Sequence, residues 1–419
     1  MSRENPLKGK KASKVTAAFK ALMCLAALLA VGALATGCSG KGTAEESSSE
    51  IMTAAENEKP TINAAETKAE TTAAPETESA NEAETETVPD EEPPEPGLVR
   101  SPITNEWVSG EQASRRPVAV MYPIDKKAQP QYGLNKVSVF YEILEEGSMS
   151  RQMGLLENWE ELSRIGNVRS IRDYFIYEAL EWDAIIVHFG GPEVFVKPML
   201  TREDVNNING VGGVMGSDYG AFYRIPAGSR SEHTAYTDGE HLLKAIEKAE
   251  YKRDYREGLY QPDRWHFASA SSPIDLSQRS DSLPAAKLDM AGCYPITKSS
   301  FSYNSEDGLY YRSIYGAPQK DGATGEQLAF RNILIESCTS GERGAGYLYF
   351  NVLDGGHQGY FITGGNMIHV TWVKTNEYEP TRFYDDNGEE ITLNTGKTMV
   401  CIVRDGSDSF TADGAKYSF

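Results

Sequence analysis

The sequence predicts an α+β body in two parts, a half that mixes strands with helices and then a half built of strands alone. Three observations carry this. Between Arg115 and Lys248, apolar residues recur at strand spacing in some segments and at helix spacing in others. From about Phe301 onward only short β-branched and aromatic runs remain, separated by Gly, Asn and Asp. The composition, 40% apolar and 10% aromatic over 419 residues, suffices for a buried core and excludes a wholly disordered chain.

The amino-terminal segment comes first. Arg3, Lys8, Lys10, Lys11, Lys14 and Lys20 precede an apolar run from Ala21 to Ala35, shorter than the ~20 residues of an easy membrane span, which is the pattern of a signal peptide. The run closes in Leu34-Ala35-Thr36-Gly37-Cys38, which resembles the lipobox of bacterial lipoproteins, although Ala35 replaces the more usual Leu. That resemblance implies removal of residues 1–37, a diacylglycerol on the Cys38 thiol, and a protein held by its acyl chains on the extracytoplasmic face of a bacterial cell membrane.

Residues 38–97 read as an acidic tether of Ala, Thr, Glu, Ser and Pro. With almost no large apolar side chain the segment cannot offset its own ordering entropy. Sixteen acids against Lys41, Lys59 and Lys68 give it more than half of the chain's net charge of −20. Like charges and prolines extend such a chain past the roughly 45 Å of a flexible linker of this length. The overall acidity argues against a nucleic-acid partner, since phosphate binding gains its affinity from Lys and Arg.

The first folded half is expected over residues 98–270. Val118 to Met121, Lys136 to Leu144 and Gln152 to Leu156 read as strands. Ser170 to Asp173 fits a capping box, and Ile171, Tyr174, Phe175, Ala179 and Trp182 follow at helical spacing. Ala184 to Phe189 reads as a buried strand ended by Gly190-Gly191-Pro192, and Gly210-Val211-Gly212-Gly213 as a surface loop. A second helix starts at Thr237 or Asp238, with Leu242, Leu243 and Ile246 inward. The Ser-, Pro- and Asp-rich stretch from Ala268 to Pro284 marks the boundary. Residues 285–419 then read as a β-meander, with strands expected at 309–315, 328–335, 346–353, 359–363, 367–374, 381–384, 390–393 and 398–404. Asp354-Gly355-Gly356 and Asn387-Gly388 supply the turn chemistry.

Several segments together resemble the YerB-like lipoprotein family. In the first half these are Arg116 to Met121, Pro130 to Leu134, Tyr141-Glu142 with Glu145-Glu146-Gly147 and Arg151, Ile165 to Phe175, and Asp183 to His188. In the second half they are Gly325 to Leu328, Pro380 to Asp385 and Gly396-Lys397-Thr398. The resemblance implies a three-layer ββα sandwich followed by a β-rich domain, in a family without an assigned activity. Two loops depart from its pattern: Met121-Tyr122-Pro123 stands in place of a polar pair, and Ser231-Glu232-His233 in place of a Pro-His pair.

The densest charged set lies in those segments: Glu142, Glu145, Glu146, Arg151, Arg169, Arg172 and Asp173. Arg169 just before a helix, and Arg172 in its first turn, could hold a carboxylate or phosphate together with free backbone amides. The simpler reading is an internal network that orients the Gly166 to Ser170 loop. His188 ends a buried strand beside a glycine turn, a good position for a site residue, although a structural histidine fits there as well. The six histidines show no three- or four-residue helical spacing, so no metal is expected. No cofactor motif is recognisable. Cys293, Cys338 and Cys401 remain after Cys24 and Cys38 are accounted for, and their pairing is open. The expectation is therefore a membrane-anchored protein that binds an anionic envelope ligand or a membrane-protein partner. One alternative is a cell-wall hydrolase pairing Glu142 or Glu145 with Asp173, and another is a purely structural surface module.

Overall fold

Strands that are apolar at every position demand cover on both faces, and the first half supplies four of them. The computed structural model describes residues 91–226 and 231–419. The signal segment, Cys38 and the tether up to residue 90 lie outside the described residues. Strands β1 (Val118–Tyr122), β2 (Val139–Leu144), β3 (Ser150–Leu156) and β4 (Ile185–His188) are buried along their whole length, and a short β5 (Asn207–Asn209) follows. The three longest helices among the described residues accompany them: α1 (Asp173–Leu180), α2 (Glu193–Leu200) and α3 (Gly239–Lys248).

The second half contributes β6 (Lys287–Asp289), β7 (Ser300–Asn304), β8 (Leu309–Ile314) and β9 (Asn332–Cys338). A hairpin of β10 (Ser340–Arg343) and β11 (Tyr347–Phe350) stands apart from the main sheets. Then come β12 (Gly355–Thr363), β13 (Asn366–Val373), β14 (Arg382–Asp385), β15 (Thr398–Arg404), β16 (Ser409–Ala412) and β17 (Ala415–Ser418).

These strands make two main sheets among the described residues. The larger has eleven strands and draws on both halves, running β13-β12-β9-β15-β2-β3-β1-β4-β5, with Leu283–Pro284 and β14 both pairing on β13. Strands β9, β12, β13 and β14 form the expected meander. After it the chain returns, and β15 lies parallel to β9 on one side and to β2 on the other. The smaller, seven-stranded sheet is built on β8-β7-β6-β16-β17. Its strand β8 alternates, with Tyr310, Arg312 and Ile314 inward and Leu309, Tyr311 and Ser313 outward, as in a sheet with one face in solvent.

Two adjacent residues of β2 show the three layers, because successive side chains leave opposite faces. Tyr141 points to the helices: its hydroxyl donates to Glu181, just past α1, at 2.8 Å and accepts from Nε1 of Trp182 at 2.7 Å. Glu142 points to the smaller sheet, where Ser299 and Arg312 meet it. Tyr294 ties the layers further, donating to the carbonyls of Glu142 and Ile402 at 2.8 and 3.1 Å.

Several boundaries move for local reasons. Residues 134–136 form a 3-10 turn after Gly133, whose φ of 86° suits only glycine comfortably, so β2 starts at Val139. The strand expected over 328–335 breaks at Arg331, where the amides of Arg331 and Asn332 both turn to the carbonyl of Lys397. The capping box at Ser170 does not form. Instead the amides of Arg169 and Ile171 bond to Met121 and Gly190, which holds the chain extended until Arg172, the N-cap of α1. Asp238 does cap α3, accepting from the amide of His241 at 2.9 Å. The stretch from Ala268 to Pro284 runs along the body, with Ala268 bonded to Leu393 and Ile274 to Asn394. Glu91, assigned by sequence to the tether, accepts from the amide of Ser271 at 2.8 Å and pairs with Arg100.

Candidate anion-binding site

The charged set expected as one site separates into three groups. Glu142 leaves it entirely. Its carboxylate has no exposed surface and is ion-paired with Arg312, also fully buried. It also accepts from the hydroxyls of Ser150 at 2.5 Å and Ser299 at 2.8 Å. A carboxylate sealed in this way ties one half of the body to the other and has no face for a ligand. Glu142 and Glu146 do not share a strand face either, because β2 ends at Leu144 and Glu146 lies in the following turn.

Glu145, Arg151, Glu146 and Arg172 form the second group, at the ends of β2 and β3 beside α1. Arg151 grips Glu145 with Nε at 3.0 Å and Nη2 at 2.5 Å. Arg172 reaches Glu145 at 3.0 Å and Glu146 at 2.5 Å, and also donates to the hydroxyl of Ser170 and the carbonyl of Ile171. Burial works against the Arg172 guanidinium, but Glu146 and Glu145 outweigh it and its pKa rises. The same pairing lowers the pKa of Glu146 despite burial. Asp173, the first residue of α1, is taken by Arg343 of β10 in a two-pronged pair, one prong at 2.8 Å, and that guanidinium stacks over Phe195 at 3.9 Å. Arg172 and Asp173 are thus structural, locking α1 to the turn after β2 and to the β10–β11 hairpin.

The third group is open in its hydrogen bonding. Arg169 donates from Nη1 to the carbonyl of Glu232 at 3.2 Å, while its Nε is buried without a partner. Nη1 of Arg151 and Nδ1 of His233 are likewise buried and without a partner among the described residues, and Arg151 and His233 are 2% and 4% exposed. Arg151 acts electrostatically on the other two, and Arg169 on His233. Burial, then repulsion from Arg151, lowers the pKa of Arg169. Burial lowers that of His233, where Asp125 works against the shift and Arg169 and Arg151 work with it. Unmet buried donors are costly, each on the order of 1–3 kcal/mol. An anionic group in reach of both arginines would satisfy their free donors and offset the repulsion between them.

His188 lies outside this group. It is fully buried, with Nδ1 2.9 Å from the carbonyl of Gly190 and Nε2 3.2 Å from Oδ1 of Asn207, and burial depresses its pKa. It serves as a hydrogen-bonded structural histidine at the end of β4.

Sequence reasoning missed several charged residues that the fold brings together. His233 was visible only as the histidine of a departing loop, and Arg312 and Arg343 come from strands some 170 positions from their partners. Deeper still, Lys374 is fully buried between Glu178 and Glu181, at 3.6 and 2.5 Å, with Glu336 close enough to feel all three. Burial pushes the Glu178 carboxyl up to about 8, and pushes Glu336 up as well, whereas Lys374 and Arg264 hold Glu181 down against burial. The thiols of Cys293, Cys338 and Cys401 are free and buried, and burial raises the pKa of each. Among the described residues no group of three His, Cys, Asp or Glu side chains could hold a metal ion, and no helix is long and apolar enough to cross a membrane.

Comparison with known proteins agrees with this architecture. The family described as protein of unknown function (DUF3048) matches with its N-terminal domain over residues 103–252 and its C-terminal domain over residues 291–400. A relative named "Putative lipoprotein YerB", from Bacillus subtilis (strain 168), is 27% identical over 328 residues, which cover 75% of this chain and 89% of the relative. The crystal structure of the YerB protein from Bacillus subtilis is similar with a TM-score of 0.62 at 26% identity, covering 75% of this chain and 99% of that one. With both domains present in order and the fold shared over nearly all of that structure, the chain belongs to the YerB-like DUF3048 family.

Proposed function

We propose that this protein is a lipid-anchored component of the bacterial envelope whose body binds an anionic group of an envelope ligand or protein partner at Arg151, Arg169 and His233. The lipobox-like segment ending in Cys38 supports the anchor, as does the name of the relative. The observation that carries the binding site is the pair of buried arginine donors beside the buried Nδ1 of His233, none of them partnered among the described residues. Hydrolysis through paired carboxylates is disfavoured by the same geometry. Such chemistry needs two carboxyl groups facing one cleft. Glu142 faces the smaller sheet, Glu145 is held by Arg151 and Arg172, and Asp173 starts a helix on the opposite side from Glu142 and is held by Arg343.

The test is capture of the full-length protein from membranes, with co-purifying components identified by mass spectrometry and challenged with inorganic phosphate and with acetate. Arg169→Gln removes the charge while sacrificing one hydrogen bond to a backbone carbonyl. It should therefore fold and lose the captured component, and one of the two anions should displace that component from the wild type. Equal recovery with the folded variant would refute the assignment.

A further inference from the structure

Away from the arginine cluster, the loop after Gly133 faces the strands of the second half across a cavity of about 510 Å³. That volume falls within the roughly 300–1,000 Å³ of small-ligand sites. Its floor is apolar: Leu309, Tyr311 and Ala329 line it half-buried, backed by the buried Leu134, Val137, Leu328 and Phe330. Three segments that carry the family resemblance meet here, through Leu134, Glu326 to Leu328, and Gly396-Lys397.

The rim is charged but balanced. Lys397 donates to the carbonyl of Asn135, the one hydrogen bond its ammonium makes among the described residues. Burial, joined by repulsion from Lys136, pushes its pKa down even though Glu106, Glu326 and Asp321 act in the opposite sense, so the charge is under-compensated where it stands. Arg331 donates from Nη1 to the carbonyl of Gly308 at 3.1 Å and has further donors to spare. Opposing them are Glu326, which accepts from Asn135 at 3.1 Å, and Glu106, whose carboxylate has no hydrogen-bond or ion-pair partner among the described residues. Two cations and two acids around an apolar floor do not suit a polyanion. They suit a ligand that carries both charges and an apolar middle.

We propose that this groove is a second binding site, for a short peptide with a free carboxyl terminus. The carboxylate pairs with Lys397 and Arg331, the side chains rest on Leu309, Tyr311 and Ala329, and the amino group turns to Glu106 and Glu326. This site is separate from the anion-binding cluster and does not depend on it.

The experiment titrates the full chain in detergent with the tripeptide Leu-Ala-Ala, its carboxyl amide and its N-acetyl derivative, followed by calorimetry. A dissociation constant of about 1 mM or tighter is expected for the free peptide, at least tenfold weaker for the amide, and weaker for the acetylated form. Lys397→Met should lose tenfold or more with its melting temperature retained, because the Lys397 backbone contacts to Arg331 and Asn332 survive the change. Glu106→Gln, at an exposed position, tests the amino arm without risk to folding and should weaken the free peptide but not the acetylated one. Arg169→Gln should bind the tripeptide as the wild type does. Failure of the free peptide to bind at about 10 mM, equal binding of acid and amide, or loss of binding in Arg169→Gln would each overturn the proposal. The last result would place the peptide at the arginine cluster and leave that reading standing.

Discussion

Replacing Arg312 by Met removes the one guanidinium that faces Glu142, in a place where neither side chain has any exposed surface. Three hydroxyls remain around the carboxylate, from Ser150, Ser299 and, at 3.4 Å, Thr297, so its hydrogen bonds are partly kept while its counter-charge is lost. Breaking a buried pair from one side costs about 3–5 kcal/mol. An unfolding entropy of about 2.1 cal/mol/K per residue over roughly 325 residues gives about 0.7 kcal/mol/K, so the melting temperature should fall by about 4 to 7 °C. The second variant, Glu142→Leu with Arg312→Met, removes both charges. It leaves the hydroxyls short of partners at about 1 kcal/mol each, so it should melt no lower than the single variant. Calorimetric melts of the three proteins are the assay. A single variant melting within about 2 °C of wild type, or a double variant melting below the single one, would show that this pair does not hold the two halves together as described.

Other outcomes follow from the same structure. Cys38→Ser should yield a precursor that keeps its signal segment, or a product shed to the medium, read by radiolabelled fatty acid and fractionation; a labelled, normally located variant would remove the anchor. Arg172→Gln should melt lower than Arg169→Gln by about 2–4 kcal/mol, since it strands Glu146 and half of Glu145, whereas Arg169 gives up a single contact to a carbonyl; urea unfolding of both variants decides the order. Glu178 has a folded pKa of about 8 against 4.5 for the free side chain, so the folded state holds the extra proton between those values. The stability it contributes is complete below about pH 4.5 and is lost as pH rises toward 8, with a slope of up to about 1.4 kcal/mol per pH unit. Glu178→Gln should flatten that slope in melts taken across the same range, and an unchanged slope would assign the effect elsewhere.

The strands were legible in the sequence because runs such as Val118 to Met121 and Ile185 to Val187 carry no polar residue, and α3 was legible because Asp238 stands where its first turn needs an acceptor. The start of α1 was not, since the amides of Arg169 and Ile171 are claimed by Met121 and Gly190, contacts that no local pattern records. Charged residues close in sequence looked like one site, but strand alternation sends Glu142 to the far layer, and Asp173 belongs to Arg343 of a distant hairpin. Of the open cluster, Arg151 and Arg169 were visible as motif residues. His233 acquires its meaning only when the loop that follows residue 230 folds back so that the carbonyl of Glu232 meets Arg169. The Lys374 cluster gave no signal at all, because Glu178 and Glu181 resemble the solvated acids of an ordinary helix face.

The placement of β15 bears on the order in which the molecule can assemble. An exported chain emerges across the membrane amino end first, and β2 is out before residues 398–404 follow, so until they do one edge of Val139–Leu144 faces water with its backbone groups unpaired. Nor can β9 complete its pairing on that side until the same late strand arrives. Two halves that read as separate modules are therefore a single cooperative product, closed by nearly the last strand made, and a truncation that removes residues 398–419 should destroy the first half as surely as the second. Such long-range closure makes for slow folding and a prolonged aggregation hazard.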